Sequence, residues 1–169
     1  MRFATMLMML LVPMACRGQD ASRSTVLSAA REMIASKTTV TLVTLGADGL
    51  PRARTMEPFQ PTEDWTFWMG TNRESQKVAE IQARPEALLH YEMPGQQGYV
   101  VVEGRAEIVD DPKLEATWWM DHWDAFYPDR AAYILIRFEP TRIEVVSYAH
   151  GLVGDAVTWE APGVDLEGR

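Results

Sequence analysis

Apolar residues in the stretch 22–37 recur at three- and four-residue steps. Val26, Leu27, Ala30, Met33 and Ile34 mark one face of a helix, with Ser24 placed to cap its start. From 38 to 45 (TTVTLVTL) the period shortens to two and β-branched residues dominate, which predicts a strand with one buried face. Gly46-Ala47-Asp48-Gly49 is a turn signal, and 51–58 returns antiparallel to the first strand. A third short strand is expected at 65–69. A short helix at 75–83 stops at Arg84-Pro85, because proline disfavours helical geometry in the residue before it. Strands at 87–93 and 99–109 flank a Pro94-Gly95 turn, the second weakened at Gly104. The stretch 111–126 predicts a second long helix with Pro112 in its first turn. Segments 132–139 and 142–148 close the series as a strand pair around Pro140-Thr141. The tail 155–169 is acidic, punctuated by glycine and proline, and expected to pack loosely.

Six or more short strands interrupted by two or three helices predict a mainly β fold, a small antiparallel barrel of six to seven strands with helices at its rim. No βα rhythm is present, which argues against a doubly wound sheet, and no internal repeat marks a solenoid. The domain is placed at residues 21–154. The 169 residues, 47 % hydrophobic and 24 % charged, have the balance of a globular chain. A formal charge of −8 repels a phosphate backbone, so no nucleic-acid partner is expected. The single cysteine excludes an intramolecular disulfide and any multi-cysteine metal centre.

That cysteine lies in residues 1–20, which read as a leader. Met1-Arg2 gives a positive start, 3–14 is almost wholly apolar, and Ala15-Cys16 precedes the polar Arg17-Gly18-Gln19-Asp20. A dozen apolar residues are too few to span a bilayer but suit a signal peptide. Ala15-Cys16 resembles the lipobox of bacterial lipoproteins, with Pro13 where that pattern prefers leucine. The expectation is export to the cell envelope with Cys16 lipidated and a lipid anchor in the membrane. The alternatives are a plain secretory signal, or a start-site artefact ahead of a cytoplasmic protein.

Two stretches carry candidate chemistry. In residues 69–77, Gly70 permits close backbone approach, Thr71 and Ser75 offer hydroxyls, a helix start offers N–H groups and Lys77 adds a charge. That is equipment for holding a phosphate. The competing reading is ordinary capping by Ser75 with Lys77 in solvent. In residues 48–56, Arg52 and Arg54 stand two apart and project from one face of a strand, where they need an anion or carboxylate partners. Other chemistries lack candidates. His90, His122 and His150 are scattered, so Asp121, His122 and Asp124 make no metal site, and no nucleophile elbow is present.

Together these stretches give D-G-x-P-x-x-R on a returning strand and then T-N-x-x-S-x-K opening a helix that ends near a proline. The order resembles the FMN-binding split barrels of the pyridoxamine 5'-phosphate oxidase-like superfamily, more closely its general stress protein branch. The likeness runs over 24–148. It takes in the strand Leu88-Leu89-His90-Tyr91, the V-V-E-G-R-A-E-I strand and the tryptophan-rich segment after Asp110-Asp111-Pro112. The resemblance implies FMN as cofactor, with Arg54 on the flavin phosphate and Thr55 and Met56 beside the isoalloxazine ring. It places Gly70 and Thr71 near the flavin, and Ser75 and Lys77 at its phosphate and ribityl end. Gln76 replaces the arginine often found between that pair. It implies a homodimer with the flavin at a two-fold interface, where Trp119 and Trp123 either stack on the partner's flavin or pack against the barrel. The expected function is a flavin-dependent oxidoreductase of unknown small-molecule substrate. The alternatives are a non-enzymatic flavin, deazaflavin or haem binding or storage protein of the cell envelope, and an anchored barrel that holds a hydrophobic ligand. Residues 163–169 lack the arginine–histidine pair of true pyridoxamine phosphate oxidases, so vitamin B6 oxidation is not implied. Tyr127-Pro128-Asp129-Arg130 matches the branch's pattern only in part.

Overall fold

The computed structural model describes residues 21–93, 95 and 98–166. The leader 1–20 with Cys16, Pro94 of the expected turn, and the last three residues of the tail lie outside the described residues.

Helix α1 (Arg23–Ala35) buries Val26, Ala29, Ala30, Met33 and Ile34, and its cap is Ser22, whose hydroxyl accepts from the Thr25 amide. Ser24, expected to cap, already lies inside the first turn. Strand β1 (Val40–Leu45) alternates as its sequence predicts, with Val40, Leu42 and Thr44 inward. The turn closes with Gly49 at φ +80°, and β2 (Pro51–Met56) pairs back from Val40↔Met56 to Leu45↔Pro51. Then come β3 (Phe67–Asn72), α2 (Gln76–Ala83), β4 (Glu86–Met93), β5 (Gly98–Val109), α3 (Pro112–Thr117), β6 (Tyr133–Ser147) and β7 (Gly163–Asp165).

The strands form one seven-stranded antiparallel sheet in the order β2-β1-β4-β5-β6-β3, with β7 added on β6. The sheet curls until its two ends meet, where Pro58 bridges Met69 and the Phe59 amide donates to the Trp68 carbonyl at 2.9 Å. The expected split barrel is therefore the fold observed. Leu42, Phe67, Met69, Leu89, Val102, Ile136, Phe138 and Ile143 fill its interior, and α1 seals the side formed by β5, β6 and β7. Among the described residues no helix is long and apolar enough to cross a membrane.

Three expectations are corrected. Residues 111–126 do not form one helix. α3 ends at Thr117, Trp118 leaves helical geometry at φ −102°, ψ 61°, and a separate 3-10 turn spans Asp121–Ala125. α3 buries no residue, so nothing holds a long amphipathic face. Each tryptophan instead finds its own seat on the outer wall, and Trp118 stacks on Trp68 at 5.5 Å with the Tyr133 hydroxyl donating to its carbonyl. Second, Pro140-Thr141 is not a turn. β6 runs straight through it, and Thr141 is the extra residue of a bulge, since Glu103 faces Arg142 while Gly104 faces Pro140. A bulge tolerates the missing proline N–H, and Gly104 has no Cβ to strike the Glu139 carbonyl there. Third, the tail is not loosely packed along its length. β3 covers only residues 133–138 of β6, so the far half needs another neighbour, and β7 supplies it with Val164 and Leu166 buried.

Candidate functional site

Alternation along β1 points Thr44 inward, and at 1 % exposure its hydroxyl needs partners. It donates to Glu80 Oε2 at 2.5 Å and accepts from Arg54 Nη1 at 2.5 Å, while Arg54 Nη2 donates to the same Glu80 oxygen at 2.6 Å. Arg54 Nη1 also reaches the Arg52 carbonyl at 2.8 Å, so the guanidinium is fixed from three sides. The ion pair is enclosed, with side-chain exposures of 21 % for Arg54 and 11 % for Glu80. Arg52, on the same strand face, turns outward to Asp48 at 2.7 Å. Both arginines thus have carboxylate partners within the chain, one in solvent and one inside.

From the other side, β3 presents Thr71, 2 % exposed, at an inward position. Its hydroxyl lies 3.1 Å from Ser75 Oγ and accepts from Lys77 Nζ at 3.0 Å. Ser75 occupies the N-cap position of α2, but its side chain makes no capping bond. Burial, and then the nearby charge of Arg54, push the Lys77 pKa down from its ordinary value, with Glu80 opposing. The charge of Arg54 thus acts against that of Lys77, with Glu80 opposing, and an anion bound beside the two cations relieves their repulsion.

The structure joins Thr71, Ser75 and Lys77 by hydrogen bonds, and the Arg54–Glu80 pair stands close enough for both charges to act on Lys77. Gln76 lines a solvent-open cavity of about 400 Å³ with Arg52, Glu80 and Arg84, between the β1–β2 turn and α2. Met56 is buried in the core, whereas Thr55 is exposed on the other face of β2. Gly70 faces away from Thr71, and the rings of Tyr133 and Trp123 fill the space a side chain would take. In this chain its close approach is to aromatic rings. Sequence reading missed Thr44 and Glu80. Their signals were a hydroxyl on the buried phase of β1 and a carboxylate three residues beyond Lys77, on the same helix face.

A titration follows from this geometry. Burial works against the Glu80 carboxylate, but the bonds from Thr44 and Arg54 and the charges of Arg54 and Arg52 outweigh it and hold its pKa below the ordinary 4.5. A depressed carboxylate stabilises the fold above its unfolded pKa and loses that contribution as pH falls through its folded value. Glu80→Gln is therefore expected to cost about 1–3 kcal/mol at neutral pH. Chemical denaturation of both proteins should show the gap closing as pH falls below 4.5.

A second polar group sits behind the aromatic wall. Glu57, just past β2, accepts from Trp123 Nε1 at 2.7 Å and pairs with His122 Nε2 at 2.9 Å. Asp124 turns away to Arg130 at 2.8 Å. Among the described residues no group of three His, Cys, Asp or Glu side chains is placed to hold a metal. Trp119 and Trp123 meet edge to face at 6.0 Å and pack with Tyr127 and Tyr133 on the outside of the barrel.

Residues 26–147 match the pyridoxamine 5'-phosphate oxidase family model. A pyridoxine/pyridoxamine 5'-phosphate oxidase of Cupriavidus pinatubonensis is 36 % identical over 91 residues, covering 54 % of this chain and 38 % of that protein. The match thus spans well under half of that relative's length. Among solved structures, a Clostridium acetobutylicum protein related to general stress protein 26 superposes with TM-score 0.67 at 19 % identity, covering 76 % of this chain and 92 % of the other. A pyridoxamine 5'-phosphate oxidase-related, FMN-binding protein of Nostoc punctiforme gives 0.61 at 16 %, covering 84 % and 95 %. A heme binding protein of Mycobacterium smegmatis gives 0.58 at 18 %, covering 75 % and 55 %. At these identities the three structures establish the fold.

Proposed function

The chain belongs to the pyridoxamine 5'-phosphate oxidase family, and from that premise we propose that it binds FMN with the flavin phosphate against Arg54, Lys77, Thr71 and Ser75. The observation that carries the reading is Lys77 held on the hydroxyl of Thr71 beside Ser75, with the Arg54 guanidinium near enough for its charge to act on Lys77. Arg54 and Lys77 offset the phosphate charge, and Thr71 and Ser75 offer it hydroxyl donors. In this reading the ring lies along β2 towards the exposed Thr55, and Met56, its side chain buried in the core, contributes backbone alone. FMN, when bound, supplies redox chemistry, and the protein supplies orientation and charge.

We further propose that the protein is a flavin-dependent oxidoreductase acting on a small molecule, with a second copy of the chain completing the flavin site. The family match supports this. Anaerobic mixing of the FMN-loaded protein with a nicotinamide cofactor tests the enzyme reading. Bleaching of the flavin band at catalytic rates supports it, and an unbleached band identifies a flavin carrier. Sedimentation of the loaded protein should give the dimer mass, and a monomer that holds FMN tightly would contradict the shared site. We also propose export with Cys16 lipidated. The full chain should then fractionate with bacterial membranes and Cys16→Ser should not, whereas recovery in the cytosol with the leader intact would overturn it.

A further inference from the structure

We propose that Glu80 sets the charge class of the ligand, neutralising Arg54 from within the protein so that the anion site prefers a singly charged phosphate to a doubly charged one. This rests on the flavin reading above and deepens it.

Arg54 commits Nη2 to Glu80 at 2.6 Å and Nη1 to Thr44 at 2.5 Å and the Arg52 carbonyl at 2.8 Å. Glu80 is itself held by the Thr44 hydroxyl at 2.5 Å and is 11 % exposed. Among the described residues, the charged groups around it come from three elements. From β2 come Arg54 and Arg52, and Arg52 is answered by Asp48 of the β1–β2 turn at 2.7 Å. From α2 comes Lys77, held by the Thr71 hydroxyl at 3.0 Å. Arg84, just past α2, gives its Nη1 to the Gly46 carbonyl at 3.3 Å, where it lines the cavity with Glu80. β1 contributes the uncharged Thr44. Arg54 can still donate to the ligand, but Glu80 offsets its charge; Lys77 brings a charge with no carboxylate among the described residues bonded to it, and a second negative charge on the phosphate meets the carboxylate of Glu80. A phosphate monoester passes from monoanion to dianion near a pKa of about 6. Glu80, with its carboxyl held below its ordinary 4.5, is ionised on both sides of that step.

The test is the ratio of FMN to riboflavin affinity, read from flavin fluorescence with the full chain at about pH 5 and about pH 8, on either side of the phosphate pKa. Riboflavin lacks the phosphate, so the ratio cancels pH effects on the ring and the fold. In the native protein the ratio should fall about tenfold from the lower to the higher pH. In Glu80→Gln it should change by less than about twofold and stand about tenfold above the native value at the higher pH. Glu80→Ala should behave alike, and thermal melts of both variants establish that they are folded. If Glu80→Gln loses FMN affinity while keeping that for riboflavin, Glu80 only positions Arg54 and the proposal falls. An equal fall with pH in native and variant proteins would assign the effect to Lys77 and also overturn it. If the native protein binds neither flavin at either pH, the flavin reading itself fails and takes this proposal with it.

Discussion

Trp123→Ala should lower stability by about 3–5 kcal/mol, the range for removing a large buried aromatic side chain. In a domain of this size that corresponds to a melting temperature lower by about 10–15 °C. Trp123 is 4 % exposed, and its ring occupies the space beside Gly70 on the outer wall of the barrel. It meets Phe59 edge to face at 5.5 Å and Trp119 at 6.0 Å, and lies 5.8 Å from Tyr133. Its Nε1–H donates to Glu57 at 2.7 Å, so the same side chain fastens the end of β2 to the wall formed by β3 and β6. Trp123→Phe separates these contributions. It keeps most of the packing and loses the donor, and because Glu57 is 36 % exposed its carboxylate turns to water. The phenylalanine variant should therefore lose less than half of what alanine loses. Similar losses in both would mean that the hydrogen bond, not the packing, holds the wall in place.

The second large effect is on ligand binding. Arg54→Ala should weaken FMN by about ten- to a hundredfold, the size of one charge-assisted hydrogen bond to a phosphate. Riboflavin should be weakened by less than about twofold, since it has no phosphate for Arg54 to hold. The loss falls on the donors that Arg54 has free of Thr44, Glu80 and the Arg52 carbonyl. Lys77→Ala should act in the same direction, and titrations with both flavins report each variant. Arg54→Ala also leaves Glu80 enclosed without its partner, so a stability loss of about 1–3 kcal/mol should accompany the binding loss. Equal losses for FMN and riboflavin would place Arg54 away from the phosphate.

The alternation of 38–45, the turn at 46–49 and the proline after Arg84 were strong local signals, and the barrel's first half follows them. The misread elements are those where tertiary packing overrides a local pattern. Trp119 and Trp123 stand four residues apart, which reads as a helix face, yet separate seats on β3 and β6 draw the tryptophans out of one helix. Pro140-Thr141 looks like a turn because proline and a polar residue usually break strands. Only the long partner β5, with Gly104 opposite, reveals a bulge within β6. β7 was illegible because three residues in an acidic, glycine-punctuated tail carry no period, and the bare half of β6 recruits them. At the candidate site, Arg54, Thr71, Ser75 and Lys77 were legible as polar residues at special spacings; Thr71, Ser75 and Lys77 bond to one another, while Arg54 bonds to Thr44 and Glu80. Glu80 was not, since a carboxylate on an eight-residue helix ordinarily reads as solvated surface. Gly70 was legible as a place of close approach, but the partner in that approach is a pair of rings contributed from far along the chain.

The central claim is that Arg54, Lys77, Thr71 and Ser75 hold a flavin phosphate. The most direct measurement is a parallel titration of the purified native protein with FMN and riboflavin near pH 6, following flavin fluorescence and the visible spectrum. The account predicts a flavin spectrum and FMN held at least about tenfold more tightly than riboflavin. Equal affinities for the two flavins, or a haem Soret band with no flavin bound, would contradict it.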